Sequence, residues 1–245
     1  IAIGSPGADR AGDTTGADRG VVYLYLGSSE GILSVPNARL EAPSPNDHDR
    51  FGAALAGVGD IDGDGFGELV IGAPGKDNHT EDGGLAFVYR GKTGGIDPIP
   101  ATVLNDPSAH RFQRFGTSVS GADDVNGDGF DDVLIGASSQ KRGRALIYHG
   151  GREGLSVSPA LAVLDPLGEG FNDFAEGVAG AGDINGDGFG DIIIGASGAD
   201  NDGVFQGSAV LYPGTELGVD NTRALRINDP ERGHHDHFGH VVAGR

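Results

Sequence analysis

The 245-residue chain contains no cysteine, no methionine and no tryptophan. The missing cysteine excludes disulfides, thiolate nucleophiles, zinc–thiolate sites and cysteine-ligated iron–sulfur clusters together. Basic residues are scarce: 17 Lys and Arg stand against 36 Asp and Glu, for a formal net charge of −19. A surface of that sign repels phosphate backbones, which argues against nucleic-acid binding, and it disfavours anionic membranes. No apolar run approaches the roughly 20 residues of a membrane span, so direct membrane insertion is not expected. No Gly-x-Ser-x-Gly elbow is present. Gly57-x-Gly59 and Gly180-x-Gly182 resemble dinucleotide loops, but the next glycine falls one place late and no helical pattern follows. The chain reads as a non-enzyme. It carries no visible signal peptide and opens at Ile1, which reads as upstream sequence removed or left out.

Glycine, by contrast, is abundant at 46 residues, without the Gly-X-Y period of collagen. A hydrophobic share of 37% is too high for a disordered acidic tail. The glycines fall in repeated phrases. Phe51-Gly52, Phe115-Gly116, Phe174-Ala175 and Phe238-Gly239 are spaced by 64, 59 and 64 residues. Gly4-Ser5-Pro6, Gly72-Ala73-Pro74, Gly136-Ala137-Ser138 and Gly195-Ala196-Ser197 follow the same rhythm. So do four apolar segments that run from Gly20, Gly84, Gly143 and Gly207 to a tyrosine. Each unit of about 60 residues holds roughly four short β-type runs and no helical pattern. Examples are Glu68 to Ile71, Leu85 to Tyr89, Phe51 to Val58 and Ala38 to Glu41. The expected fold is all-β, a β-propeller of four-stranded blades. A β-solenoid ranks below it, because solenoid coils are usually shorter.

Three acidic segments lie between the Phe phrase and the next β-run. The first holds Asp60, Asp62, Asp64, Phe66 and Glu68. The second holds Asp124, Asn126, Asp128, Phe130 and Asp132, and the third Asp183, Asn185, Asp187, Phe189 and Asp191. Oxygen-bearing side chains occupy positions one, three, five and nine, and a glycine at position six permits the turn that folds them inward. Position seven is expected to offer its backbone carbonyl while its phenyl ring enters the core. Such a donor set suits Ca²⁺, about three ions in all, with Mg²⁺ the weaker alternative. An EF-hand would need a glutamate at position twelve. Those positions are Ile71, Ile135 and Ile194, and a β-run follows. Plain Asx turns are the alternative for any single loop. Three or four carboxylates within nine residues would repel without a cation.

Phe-Gly, the Asp-x-Asp/Asn-x-Asp-Gly-x-x-Asp loop and Gly-Ala-Pro, in that order, resemble the FG-GAP repeat of integrin α-subunit β-propellers and of many bacterial secreted proteins. The resemblance covers nearly the whole chain. It implies FG-GAP blades at about 51–114, 115–173 and 174–237, with 238–245 and 1–50 sharing a split one. It also implies calcium at the three acidic loops. Ala175, Ser138, Ser197 and Glu68 depart from the pattern, and Glu68 brings a longer arm. A seven-bladed propeller would need about 420 residues. The chain reads as a window of such an array in preference to a four-unit ring, with strand edges that need pairing and could self-associate.

The resemblance places ligand recognition on loops opposite the calcium side: 7–19, 75–83, 138–142 and 197–206 after Gly-Ala-Pro, and 41–50, 105–114, 164–173 and 228–237 before Phe-Gly. These differ between units, as recognition loops on a rigid scaffold do. Three further features are weaker. His234, His235, Asp236, His237 and His240 form a histidine-rich run whose neighbours would alternate faces in a strand. Asn78-His79-Thr80 fits a glycosylation acceptor. Arg111, Arg114, Lys141, Arg142 and Arg144 form the one basic concentration, read as a solvated surface. The expected function is that of a calcium-stabilised, secreted or cell-surface adhesion or interaction module that binds a protein or matrix ligand. A lectin-like module or a structural subunit of a surface layer or fibre is the alternative. Extracellular placement follows because millimolar calcium fills even weak loops. Zero cysteine suits a bacterial exported protein.

Overall fold

The computed structural model describes all of the chain except residues 10–15, 30, 78–79, 109–110, 140–142, 167–171, 202–203, 232–235 and 245. The described residues are all-β apart from one short 3₁₀ turn at Asn221–Arg223. Three sheets have four strands each. The first of these comprises Ala54–Gly57, Leu69–Ala73, Leu85–Tyr89 and Thr102–Leu104. The next comprises Phe115–Asp123, Asp132–Ala137, Arg144–Tyr148 and Leu161–Leu164. The last comprises Phe174–Gly182, Asp191–Ala196, Ser208–Tyr212 and Leu225–Asn228. In every case the strands pair antiparallel in chain order, the meander of a propeller blade. Ala2–Ser5, Val21–Leu24 and Ala38–Leu40 form a three-stranded sheet ahead of them.

Alternation decides how the sheets stack. Val70, Val88 and Leu104 pack with Phe115, Val133, Ile135 and Leu146 of the following sheet. Leu69, Ile71, Phe87 and Tyr89 of the same strands pack the other way, on Val22, Leu24 and Leu40. Successive side chains of a strand point to opposite faces, so a sheet buried on both sides needs apolar residues at consecutive positions. The run Leu69-Val70-Ile71 meets that need. The second and third full sheets repeat the arrangement, with Leu134 and Ile147 against Ile192 and Val210.

The repeated glycines mark where one sheet touches the next. A Cβ at Gly72 would lie 2.1 Å from the Gly116 carbonyl oxygen, and one at Gly4 would lie 2.1 Å from that of Gly52. Gly136 stands in the same relation to Ala175, and Gly195 to Gly239. The Gly-Ala-Pro glycine of one unit therefore receives the Phe-Gly backbone of the next. The glycine that opens each third strand meets the following Phe in the same way: Gly84 bridges Phe115 and Gly207 bridges Phe238. Backbone contact this close leaves no room for a side chain. That is why two glycine phrases keep step along the whole chain.

Candidate metal centre

The three acidic loops join the first and second strands of the full sheets, and their hydrogen bonds repeat position by position. In the first loop Asp60 Oδ1 accepts the N–H groups of Gly63 and Asp64 at 2.8 and 3.1 Å, and Asp60 Oδ2 accepts that of Gly65 at 2.9 Å. Asp124 takes the corresponding bonds from Gly127, Asp128 and Gly129, and Asp183 from Gly186, Asp187 and Gly188. The position-three side chains of Asp62, Asn126 and Asn185 accept from the position-five N–H. The carboxylates of Asp64, Asp128 and Asp187 accept the N–H of Phe66, Phe130 and Phe189. These Asx-type bonds curl each loop around its own acids.

The ninth position anchors the loop to the sheet. Glu68 Oε2 accepts Ile61 N–H at 2.9 Å and Oε1 accepts Gly91 N–H at 3.2 Å. Asp132 makes the equivalent bonds with Val125 and Gly150, and Asp191 with Ile184 and Gly214. The longer arm of Glu68 thus preserves the pattern. All three of these carboxyl groups are buried. Burial, with a smaller contribution from the charges of Asp128 and Asp124, pushes Asp132 up to about 7 despite the two N–H donors. Burial likewise raises Glu68, and the charges of Asp62 and Asp64 add to the effect.

These are donor sets for a hard cation, and the first loop has the convergence to match. Asp60, Asp62 and Glu68 each present a carboxylate oxygen, all within 4.8 Å of one another. Asp64 stands outside that group. Among the described residues this is the one such cluster of three acidic or histidine side chains. The second and third loops share the hydrogen-bond frame and carry neutral Asn126 and Asn185 at position three.

The position-seven rings depart from expectation. Phe66 is 40% exposed, and Phe130 and Phe189 are half-buried. Phe130 instead lies against Gly63 of the preceding loop, and Phe189 against Gly127. In the first two loops the core position belongs to the second residue, with Ile61 and Val125 fully buried against the following sheet, whereas Ile184 of the third loop is 58% exposed. The acid at position nine is tied to the sheet interior, so the seventh residue is carried outward. The sequence signal for this was the apolar residue at position two, which Ile61 and Val125 supply.

At the opposite ends of the strands the divergent loops converge. Asp18, His48, Arg50, Pro74, Gly75, Asp82 and Arg114 line a polar cleft of about 270 Å³. All but Pro74 come from four of the loops expected to bind ligand. Asp18, His48, Arg50, Asp82 and Arg114 all hold φ between 47° and 65°, the left-handed region that side chains avoid. Arg50 N–H donates to the Asp18 carbonyl and Arg114 N–H to that of Asp82, at 3.0 and 2.9 Å, so two successive repeats build the cleft in the same way.

The basic concentration is not one solvated surface. Arg144 is buried, with its Nε 2.8 Å from Asp106 and further bonds to Ser108. Arg111 pairs with Glu81 and lies 5.0 Å from the centre of the Phe112 ring. Lys141 and Arg142 lie outside the described residues, as do His234, His235, Asn78 and His79. His240 stands 3.1 Å from Glu176.

The FG-GAP repeat profile matches residues 51–89, 115–148 and 174–212, each span running from the Phe-Gly phrase through the acidic loop to the tyrosine of the third strand. Integrin alpha-7 of Mus musculus is 33% identical over 182 residues, 74% of this chain. Integrin alpha-5 of Xenopus laevis is 34% identical over 169 residues, 66% of the chain. Integrin alpha-V of Gallus gallus is 38% identical over 118 residues, 46% of the chain. The chain spans about 15% of the length of the first two relatives and 11% of the third. Three matched repeats on an all-β array of four-stranded blades, with integrin α subunits as relatives, place the chain in the FG-GAP repeat family of β-propellers.

Proposed function

We propose that the chain is a calcium-stabilised extracellular interaction module. About three Ca²⁺ ions are held by Asp60, Asp62, Asp64, the Phe66 carbonyl and Glu68, and by the matching sets from Asp124 to Asp132 and from Asp183 to Asp191. The observation that carries this reading is the convergence of Asp60, Asp62 and Glu68 within one hydrogen-bond frame that recurs in all three loops. The ion would supply the positive charge that lets these carboxylates stand together and would stiffen the end of each blade. At the opposite end, the cleft between Asp18, Arg50, Asp82 and Arg114 serves as part of a face for a protein or matrix ligand. Its strained backbone supports that role, since strain held by rigid surroundings concentrates at binding sites. The integrin relatives support an adhesive role at the cell surface and a non-enzymatic chain.

The test has two arms. Bound calcium is counted in the dialysed protein, with about three ions per chain expected. Binding to a panel of purified extracellular-matrix proteins, and in parallel to a glycan array, is then measured for the parent chain and for Arg50→Ala with Arg114→Ala. Calcium-dependent capture of a matrix protein that the double variant loses is the expected result. Glycan binding alone would replace the protein ligand with a sugar, and an ion count of zero would remove the calcium reading.

A further inference from the structure

The three acidic loops do not carry equal charge at their ligand positions. The first has four carboxylates at the ligand positions. The second and third have three, because Asn126 and Asn185 stand where the first has Asp62. One other difference accompanies this one. The third strand of each sheet ends in a Tyr-x-Gly triplet whose glycine N–H donates to the ninth-position carboxylate of the loop. The middle residue is Arg90 in the first unit, His149 in the second and Pro213 in the third. Only Arg90 brings the fixed charge of a guanidinium. Its Nε lies 3.3 Å from Asp62 Oδ2, and the Asp62 side chain is 5% exposed. Arg90 Nη2 also donates to the Glu153 carbonyl at 3.4 Å, so the guanidinium is held over the loop from a second side. The extra negative charge and the extra positive charge therefore occur in the same unit, in contact.

Building on the calcium reading, we propose that Arg90 is the resident counter-ion of Asp62 and competes with the cation for that carboxylate. Without calcium the guanidinium neutralises the fourth acid and steadies the loop. With calcium, the same carboxylate has to serve two positive groups, so the ion gains less from it. Arg90 thereby brings the loop with four carboxylates at its ligand positions down toward the affinity of the other two, so that the three fill over one range of calcium concentration. The Arg90 side chain is about half exposed, so water screens its effect and the expected change is modest.

The competition has two readouts of opposite sign. Calcium is titrated calorimetrically into the chelated 245-residue chain and its Arg90→Gln, Asp62→Asn and doubly substituted forms, and the melting temperature of each is recorded in chelator. Arg90→Gln is expected to tighten one site about two- to fivefold while leaving the others unchanged, and to lower the melting temperature in chelator. In the Asp62→Asn background, which reproduces the side chain of the other loops, Arg90→Gln should change the affinity little. Unchanged or weaker calcium binding by Arg90→Gln overturns the proposal, as does an equal effect with Asp62 already neutral. Failure of the parent chain to take up calcium at all is a separate result and overturns the calcium reading itself.

Discussion

The Asp131 carboxylate of the second acidic loop accepts a hydrogen bond from the Asp60 backbone N–H at the head of the first loop, at 2.9 Å. Around it, Gly151 N–H donates to the Ile61 carbonyl at 2.8 Å, and the Phe130 ring covers Gly63. The third loop leans on the second in the same manner, through Gly190 N–H to the Asp124 carbonyl and the Phe189 ring on Gly127. The loops are braced in series around the array. Asp131 has no counterpart: glycine stands at the matching places, Gly67 and Gly190.

Asp131→Ala should therefore destabilise the chain by about 1.5 kcal/mol, the usual worth of a hydrogen bond to a charged acceptor. Urea denaturation in chelator would show a lower midpoint with an unchanged slope. Asp131→Asn keeps an acceptor and should recover part of the loss. An unchanged midpoint for the alanine variant would mean that the backbone and ring contacts alone brace the loops.

Calcium removal should act on all three loops together. Ligand that binds only the native state stabilises it by about 2.7 kcal/mol per site at one hundred times the dissociation constant. Melting in excess calcium and again in chelator should differ by many degrees. Asp124→Ala, which removes an acceptor from three N–H groups, should shrink that difference by the share of one loop. Superimposable melts would leave the loops as plain turns.

Close approach between sheets gives a paired prediction. Gly72→Ala places a methyl 2.1 Å from the Gly116 carbonyl, deep between two sheets. It should cost at least about 2 kcal/mol, as overpacking does. At Gly65 the φ is +89° and nothing lies within 4 Å of a built Cβ. Gly65→Ala should cost only the left-handed strain, about 1 kcal/mol. Equal midpoints for the two variants in denaturant would show that the sheets slide apart at little expense.

The buried Arg144–Asp106 pair offers a third kind of test. Their side chains are 11% and 0% exposed. Arg144→Ala leaves a buried carboxylate without its partner and should cost about 3–5 kcal/mol, whereas Arg144→Leu with Asp106→Leu should recover much of it. Chemical denaturation of the single and double variants measures the recovery. A single variant as stable as the parent would show that water reaches Asp106.

Much of this architecture was legible in the sequence. The strands from Leu69 and from Leu85 start where their apolar runs start, because local β-pattern and burial agree there. The acidic loops were legible because each is closed by bonds among its own nine residues. The Phe66, Phe130 and Phe189 rings were not, and neither was burial of Arg144. A hydrophobic residue announces that it prefers contact, but not which surface will supply it. A charged residue such as Arg144 announces solvent, yet Asp106, 38 positions earlier, draws it inside.

Local pattern in the chain is enough for the repeat, the β-type strands, the oxygen positions of the acidic loops and the acid at position nine. These depend on spacing, propensity and contacts between near neighbours. Which phrase touches which is a matter of how the sheets pack. That packing set Gly72 of one unit against Gly116 of the next, hung Phe130 over Gly63, laid Arg90 on Asp62 and drew Arg50 and Arg114 to one cleft. These partners are brought together by the stacking of whole sheets, and the energy of that stacking is spread over many buried side chains. No short stretch of the chain records it.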